Sequence, residues 1–162
     1  MDRQQIALKL ILDTLGLECK VDTFEDRLIC QKAIYLVQVA GVNLGYYYQW
    51  YLYGPYCRSL TKDEYAVSDR LARDIDDSQG WTLDSTSQDR LQTLKQLFDN
   101  KSELSRRLEL LASVHFLVSR KQIPCIQIDE IAQTLLKHGK SFDEQQVREA
   151  VVELKDYGLL AS

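Results

Sequence analysis

One segment interrupts an otherwise helical rhythm of apolar residues, and it decides the fold class. From Gly45 the chain reads Gly-Tyr-Tyr-Tyr-Gln-Trp-Tyr-Leu-Tyr and then Gly54-Pro55. Aromatic residues favour the pleated, half-buried surface of a strand, and a run of this length between glycines is strand-sized. Alternation puts Tyr46, Tyr48, Trp50 and Leu52 on one face, with Tyr47, Gln49, Tyr51 and Tyr53 on the other. Gly54-Pro55 is expected to make the turn that follows. Trp81-Thr82-Leu83 is the candidate strand to pair with it.

Everywhere else the spacing is three and four. Asp2 to Leu15 is expected to be a helix closed by Gly16. Thr23 opens a second, with Asp26 at the N3 position and Leu28, Ile29, Ala33, Leu36, Val37 and Ala40 on its buried side, ended by Gly41. Thr61-x-x-Glu64 reads as a capping box for a helix to about Arg73. Ser87 to Phe98 forms the next, and Ser102 caps another that carries Leu104, Leu108, Leu111, His115 and Val118. After Pro124, helices are expected over Ile128–His138 and Asp143–Tyr157. The fold class is therefore mainly α: one compact helical domain spanning residues 1–162, with a small two- or three-stranded β element and a winged-helix-like helical pair over 125–162.

Composition excludes several kinds of function. At 45% hydrophobic and 27% charged, the chain is globular rather than disordered. No apolar run is long enough to span a bilayer, and the N-terminus lacks a secretory pattern, so the expected location is the cytoplasm. The four cysteines have no C-x-x-C spacing and only two histidines to join them, which argues against a zinc site and makes them small buried hydrophobes. No metal or cofactor is expected. With 24 acidic against 20 basic residues, the chain has a net charge of −4 and lacks the clustered basic surface that phosphate binding needs.

The C-terminal pair has the layout of a winged-helix recognition unit. Its second helix, however, carries Asp143, Glu144, Glu149, Glu153 and Asp156 against Arg148 and Lys155, a charge that phosphates repel. Nucleic acid is thus a poor partner, and a DNA-binding regulator is the alternative reading. No nucleophile elbow, Gly-rich phosphate loop or paired-carboxylate motif is present. An enzyme of unrecognised type would have to draw on Asp63, Glu64 and Asp69. His115 reads as a core histidine and His138 as a helix C-terminal group, while Arg106-Arg107 and Arg120-Lys121 read as a solvated helix face and a helix C-terminus.

Five of the nine tyrosines lie between 46 and 53, a surplus that suits a binding surface. The stretch Arg27-Leu28-Ile29-Cys30-Gln31-Lys32-Ala33-Ile34-Tyr35-Leu36-Val37-Gln38, followed by Trp50-Tyr51-Leu52-Tyr53-Gly54-Pro55-Tyr56, resembles the Panacea domain, also called SocA-like, and its YwgA-like relatives. The matching positions are Gln31, Lys32, Tyr35, Gln38, Tyr53, Gly54 and Pro55. Cys30 stands where such domains usually carry leucine. The likeness covers residues 23–75 and implies a helical module that acts by contacting a partner protein, as an antitoxin, a proteolytic adaptor or a phage-defence accessory protein. On this reading Tyr47, Tyr51, Tyr53, Gly54, Pro55, Tyr56 and Arg58 are the candidate partner-contacting residues. Gln31, Lys32, Tyr35 and Gln38 support them from the preceding helix, with Gln31 and Lys32 expected to pin the turn by hydrogen bonds. Self-association remains open, as does the exposure of the aromatic strand.

Overall fold

In the computed structural model, which describes residues 1–161, four helices begin where a polar side chain takes up an unpaired N–H group of the first turn. α1 (Arg3–Thr14) opens on a reciprocal capping box of Asp2 and Gln5, and α2 (Phe24–Val39) on one of Thr23 and Asp26. After β1 (Gln49–Tyr51), β2 (Gly54–Tyr56) and α3 (Arg58–Ala72), α4 (Ser85–Asp99) starts where Asp84 accepts from the Ser87 N–H. α5 (Leu104–Ser119) and α6 (Ile128–Lys137) follow, and α7 (Glu144–Asp156) opens on a third box, Asp143 with Gln146.

The core forms around α2 and α5. Both are apolar on nearly every side over their middle turns, the pattern of a helix enclosed by others. In α2 every residue from Cys30 to Val37 is buried, and in α5 every residue from Leu111 to Leu117. The two pack on each other, with α7, β2 and α6 also against α5, and α3 and β2 against α2. α1 packs on α3 and α4 at the other end. The C-terminal helices dock through Ile128, Ile131, Ala132 and Leu135 of α6 and Val147, Ala150, Val151 and Leu154 of α7. Residues 158–161 form a turn and no strand. No described helix is long and apolar enough to cross a membrane.

The mainly helical fold with one small sheet is as expected, but four local features differ. The sheet is a two-stranded antiparallel hairpin, with Gln49 opposite Tyr56, Trp50 opposite Pro55 and Tyr51 opposite Gly54. Its turn lies at Leu52-Tyr53, and Gly54-Pro55 belongs to the return strand. Trp81-Thr82-Leu83 pairs with nothing: a strand adjacent in sequence closes a far shorter loop. α3 starts three residues before Thr61, because the Thr61 hydroxyl is taken by Gln31 Nε2 at 2.8 Å and itself donates to the Tyr56 hydroxyl at 2.9 Å. Ser102 likewise does not cap α5, which begins after Glu103 in the left-handed region.

Glu64 is not a capping residue either. It shares the buried face of α3 with Leu60 and Val67. Neither carboxylate oxygen has a hydrogen-bond partner of normal geometry. Burial raises its pKa from 4.5 to about 8, and the nearby Cys30 thiol and Arg27 charge offset only part of this. Below 4.5 the group is protonated in folded and unfolded chains alike. Between 4.5 and about 8 the unfolded chain releases the proton and the folded one keeps it, so stability falls as pH rises through that window. Each pH step of one across that window costs about 1.4 kcal/mol at most. Urea melts should therefore show Glu64→Gln gaining on wild type by roughly 2–4 kcal/mol between about pH 5 and about pH 8.5. A difference that stays constant with pH would mean that Glu64 is ionised in the core.

Candidate functional site

A hairpin of three-residue strands cannot stand alone, because it buries too little and leaves most of its backbone groups unpaired. Here α2 supplies the missing partners through side chains. Gln38 Nε2 donates to Tyr46 O at 2.9 Å, and its Oε1 accepts from Leu44 N at 3.1 Å and Tyr46 N at 3.0 Å. Two turns earlier, Gln31 Nε2 donates to Cys57 O at 2.8 Å while its Oε1 accepts from Cys57 N at 2.9 Å. Each amide thus engages the N–H and C=O of one residue, as a neighbouring strand would. Between these clamps, the Lys32 ammonium donates to Pro55 O at 2.6 Å. The Tyr48 hydroxyl completes the attachment by donating to Gln31 O at 2.7 Å.

The tip of the hairpin is held from the other end of the chain. Lys140, in the loop between α6 and α7, donates to Leu52 O at 2.8 Å and pairs with Glu109 Oε1 at 2.7 Å. Lys32 and Lys140 are both almost fully buried, and Glu109 is the carboxylate that serves this cluster. Burial is the main cause lowering the Lys32 pKa to about 7; Glu109 raises it and Lys140 lowers it further. Tyr35 hydrogen-bonds His115 Nδ1 at 2.7 Å in the core, where desolvation drops the His115 pKa to about 4 and keeps the ring neutral.

Fixed in this way, the hairpin presents its aromatic rings outward. Tyr47 is 70% exposed, Tyr51 50%, Tyr53 48% and Leu52 80%, while Tyr46 and Tyr48 are buried. The expected alternation therefore holds as far as Trp50 and fails at Leu52, which the turn lifts into solvent. Arg58 is exposed and Tyr56 half-buried against Tyr51, whereas Gly54 and Pro55 are buried beneath the rings. Tyr53 packs on Phe24, the first residue of α2, as a tilted pair with ring centroids 4.7 Å apart. Between the hairpin and the first half of α2 runs a groove of about 260 Å³ lined by Phe24, Arg27, Lys32, Tyr51, Tyr53 and Tyr56, among others. On the other flank Tyr47, Tyr51 and Arg58 border a shallower depression, and Arg120 lies over the Tyr47 ring.

Reasoning from the chain alone misses Phe24, Arg27, Glu109, Ser113 and Lys140. Glu109 had a signal, as a carboxylate between two leucines at the start of the apolar stretch of α5. Lys140 had none, because its partner lies 88 residues away. The carboxylates considered for catalysis do not converge: Glu64 is in the core, Asp63 accepts from Gln5 and Tyr46, and Asp69 pairs with Arg73. No cluster of metal-ligating residues occurs among the described residues, and all four cysteines are free. On α7, Glu144, Glu149 and Asp156 are exposed alongside Arg148. Fold and site together give, among the described residues, seven helices that hold one clamped aromatic hairpin at the surface. No protein-family model matches the chain, and comparison with curated proteins and with solved structures finds no match either.

Gly54 is the point of closest approach. Its φ of +88° strains any other residue, and a Cβ there would lie 2.3 Å from the Ser113 hydroxyl. That hydroxyl is buried without a hydrogen-bond partner. Gly54→Ala should cost on the order of 2–4 kcal/mol in a urea melt, and Ser113→Ala alone should change little. The double variant should recover part of the loss, that due to the collision, and keep the part due to φ. Strict additivity of the two single changes would show that the hairpin does not sit down on α5.

Proposed function

We propose that this chain is a non-catalytic binding module that recognises a partner protein through the aromatic hairpin. The observation that carries this reading is the exposure of Tyr47, Tyr51, Leu52 and Tyr53 together on a hairpin whose backbone is tied down from beneath. A globular domain gains nothing for its own stability by holding large apolar side chains in water, and contiguous exposed patches of this kind mark interaction sites. Tyrosine offers wide contact area with few rotatable bonds, and a backbone fixed in advance lowers the ordering cost of association.

The resemblance of residues 23–75 to the Panacea, or SocA-like, domain supports the same reading and narrows the class of partner. On that ground the partner is a toxin or defence effector in the cytoplasm, and the module works as an antitoxin, a proteolytic adaptor or a phage-defence accessory protein. The acidic outer face of α7 counts against a regulator that reads DNA through the C-terminal helices.

The test is capture of the tagged protein from its native cells, with the co-purifying proteins quantified against a Tyr51→Ala/Tyr53→Ala variant of unchanged melting temperature. A stoichiometric partner whose recovery drops at least about tenfold with the double variant is the expected result. A partner retained in full by the double variant would place recognition elsewhere. Recovery of nucleic acid instead of protein would favour the C-terminal pair.

A further inference from the structure

The groove between α2 and the hairpin differs in charge from the rest of the molecule. The chain carries a net −4, yet the charged side chains lining this groove are Arg27 and Lys32, with no carboxylate among them. Arg27 spends Nη1 on Val21 O at 2.6 Å, and its remaining guanidinium nitrogens have no hydrogen-bond partner among the described residues. The carboxyl near it, Glu64, is buried on α3 and held protonated at neutral pH, so it does not cancel the guanidinium charge. At the inner end Lys32 makes one hydrogen bond, to Pro55 O, and has its amine pushed toward neutrality by burial. A concave site whose fully charged lining group is a cation with free N–H donors favours an anion.

The walls specify the rest of the occupant. Phe24 packs on Tyr53 as a tilted pair and Tyr51 on Tyr56 edge to face, so the lining offers both ring faces and ring edges to an aromatic group. The volume of about 260 Å³ is below the roughly 300–1,000 Å³ of sites that enclose a whole cofactor, and it suits a single large side chain. Tyr51 and Tyr53 belong both to this groove and to the exposed face of the hairpin, so the two surfaces are continuous.

Resting on the binding-module reading, we propose that this groove is the anchor point of the interface: it receives an aromatic side chain of the partner protein that has a carboxylate beside it, the ring between Phe24, Tyr51 and Tyr53 and the carboxylate on Arg27. Arg27 discriminates the anion, and Phe24 and the tyrosines supply area.

Two probes of one shape test the chemistry. 3-Phenylpropionate carries the carboxylate and 3-phenylpropanamide replaces it with a neutral amide. Each is titrated into the full-length protein labelled with nitrogen-15, and amide shifts are followed over residues 24–32 and 51–56. The expected result is saturable binding of both, with the acid at least about fivefold tighter, as a charge-assisted hydrogen bond confers. Arg27→Gln should bring the two dissociation constants together, and Phe24→Ala should weaken both probes without changing their ratio. Equal affinities in the wild type, shifts confined to other surfaces, or no saturable shift with either probe would each overturn the proposal. A fragment of this size acting as a detached anchor should bind in the millimolar range. A dissociation constant of about 10 µM or tighter would make a free aromatic acid the ligand and overturn the assignment to a protein side chain. A partner captured from cells and lost with the Tyr51→Ala/Tyr53→Ala variant, but with no preference for the acid, would sink this inference and leave the binding-module reading standing.

Discussion

The arrangement depends on two glutamine side chains standing in for a β-strand. Gln31 and Gln38 lie on the same side of α2, two helical turns apart, at the spacing that brings their amides to the start and the end of the aromatic segment. A primary amide has the same donor and acceptor as a peptide group, so it can occupy a residue's N–H and C=O at once. That lets three-residue strands persist without a larger sheet. It also explains why a core helix carries polar residues on turns where leucine would pack as well. The conditions are strict, since a buried amide with one bond unmade would destabilise rather than stabilise.

Electrostatics in the interior follow the same economy of partners. Lys32, Lys140 and Glu109 share one buried neighbourhood, with two cations to one carboxylate. Lys140 takes the carboxylate, and burial, with Lys140 adding to it, pushes the pKa of the Lys32 amine down to about 7. Glu64 is the opposite case, an acid with no cation in contact, which remains folded by keeping its proton. Both ionisable groups lie against the hairpin or the helix that follows it, so the charged chemistry of the core gathers behind the exposed aromatic surface.

Most helices were legible in the sequence because their signals are local. A capping residue, a stripe at three and four, and a terminal glycine all lie within one segment, and α1, α2 and α7 carry the full set. Burial of Tyr46 and Tyr48 could be read from alternation for the same reason. What was not legible depended on competition at a distance. The Thr61 hydroxyl could have capped α3 but is taken by Gln31, 30 residues earlier. The turn settled at Leu52-Tyr53 because Lys140 receives the Leu52 carbonyl and Ser113 leaves room for a residue without a side chain at 54. Trp81 had every property of a strand residue and lacked only an available edge. The groove could not be seen at all, since Phe24 and Arg27 read as ordinary first-turn residues until the hairpin folds over them.

The attachment of Lys140 to the hairpin tip has a consequence in the order of synthesis. The clamps from α2 reach residues at most 26 positions away, so the hairpin can settle onto α2 soon after both have left the ribosome. Its turn has to wait for a lysine that emerges 88 residues after Leu52. Until then the aromatic tip is present but untethered, and its exposed shape is complete only after Lys140 has emerged. A chain that stops short of Lys140 and one that extends past it thus present different surfaces at the same hairpin.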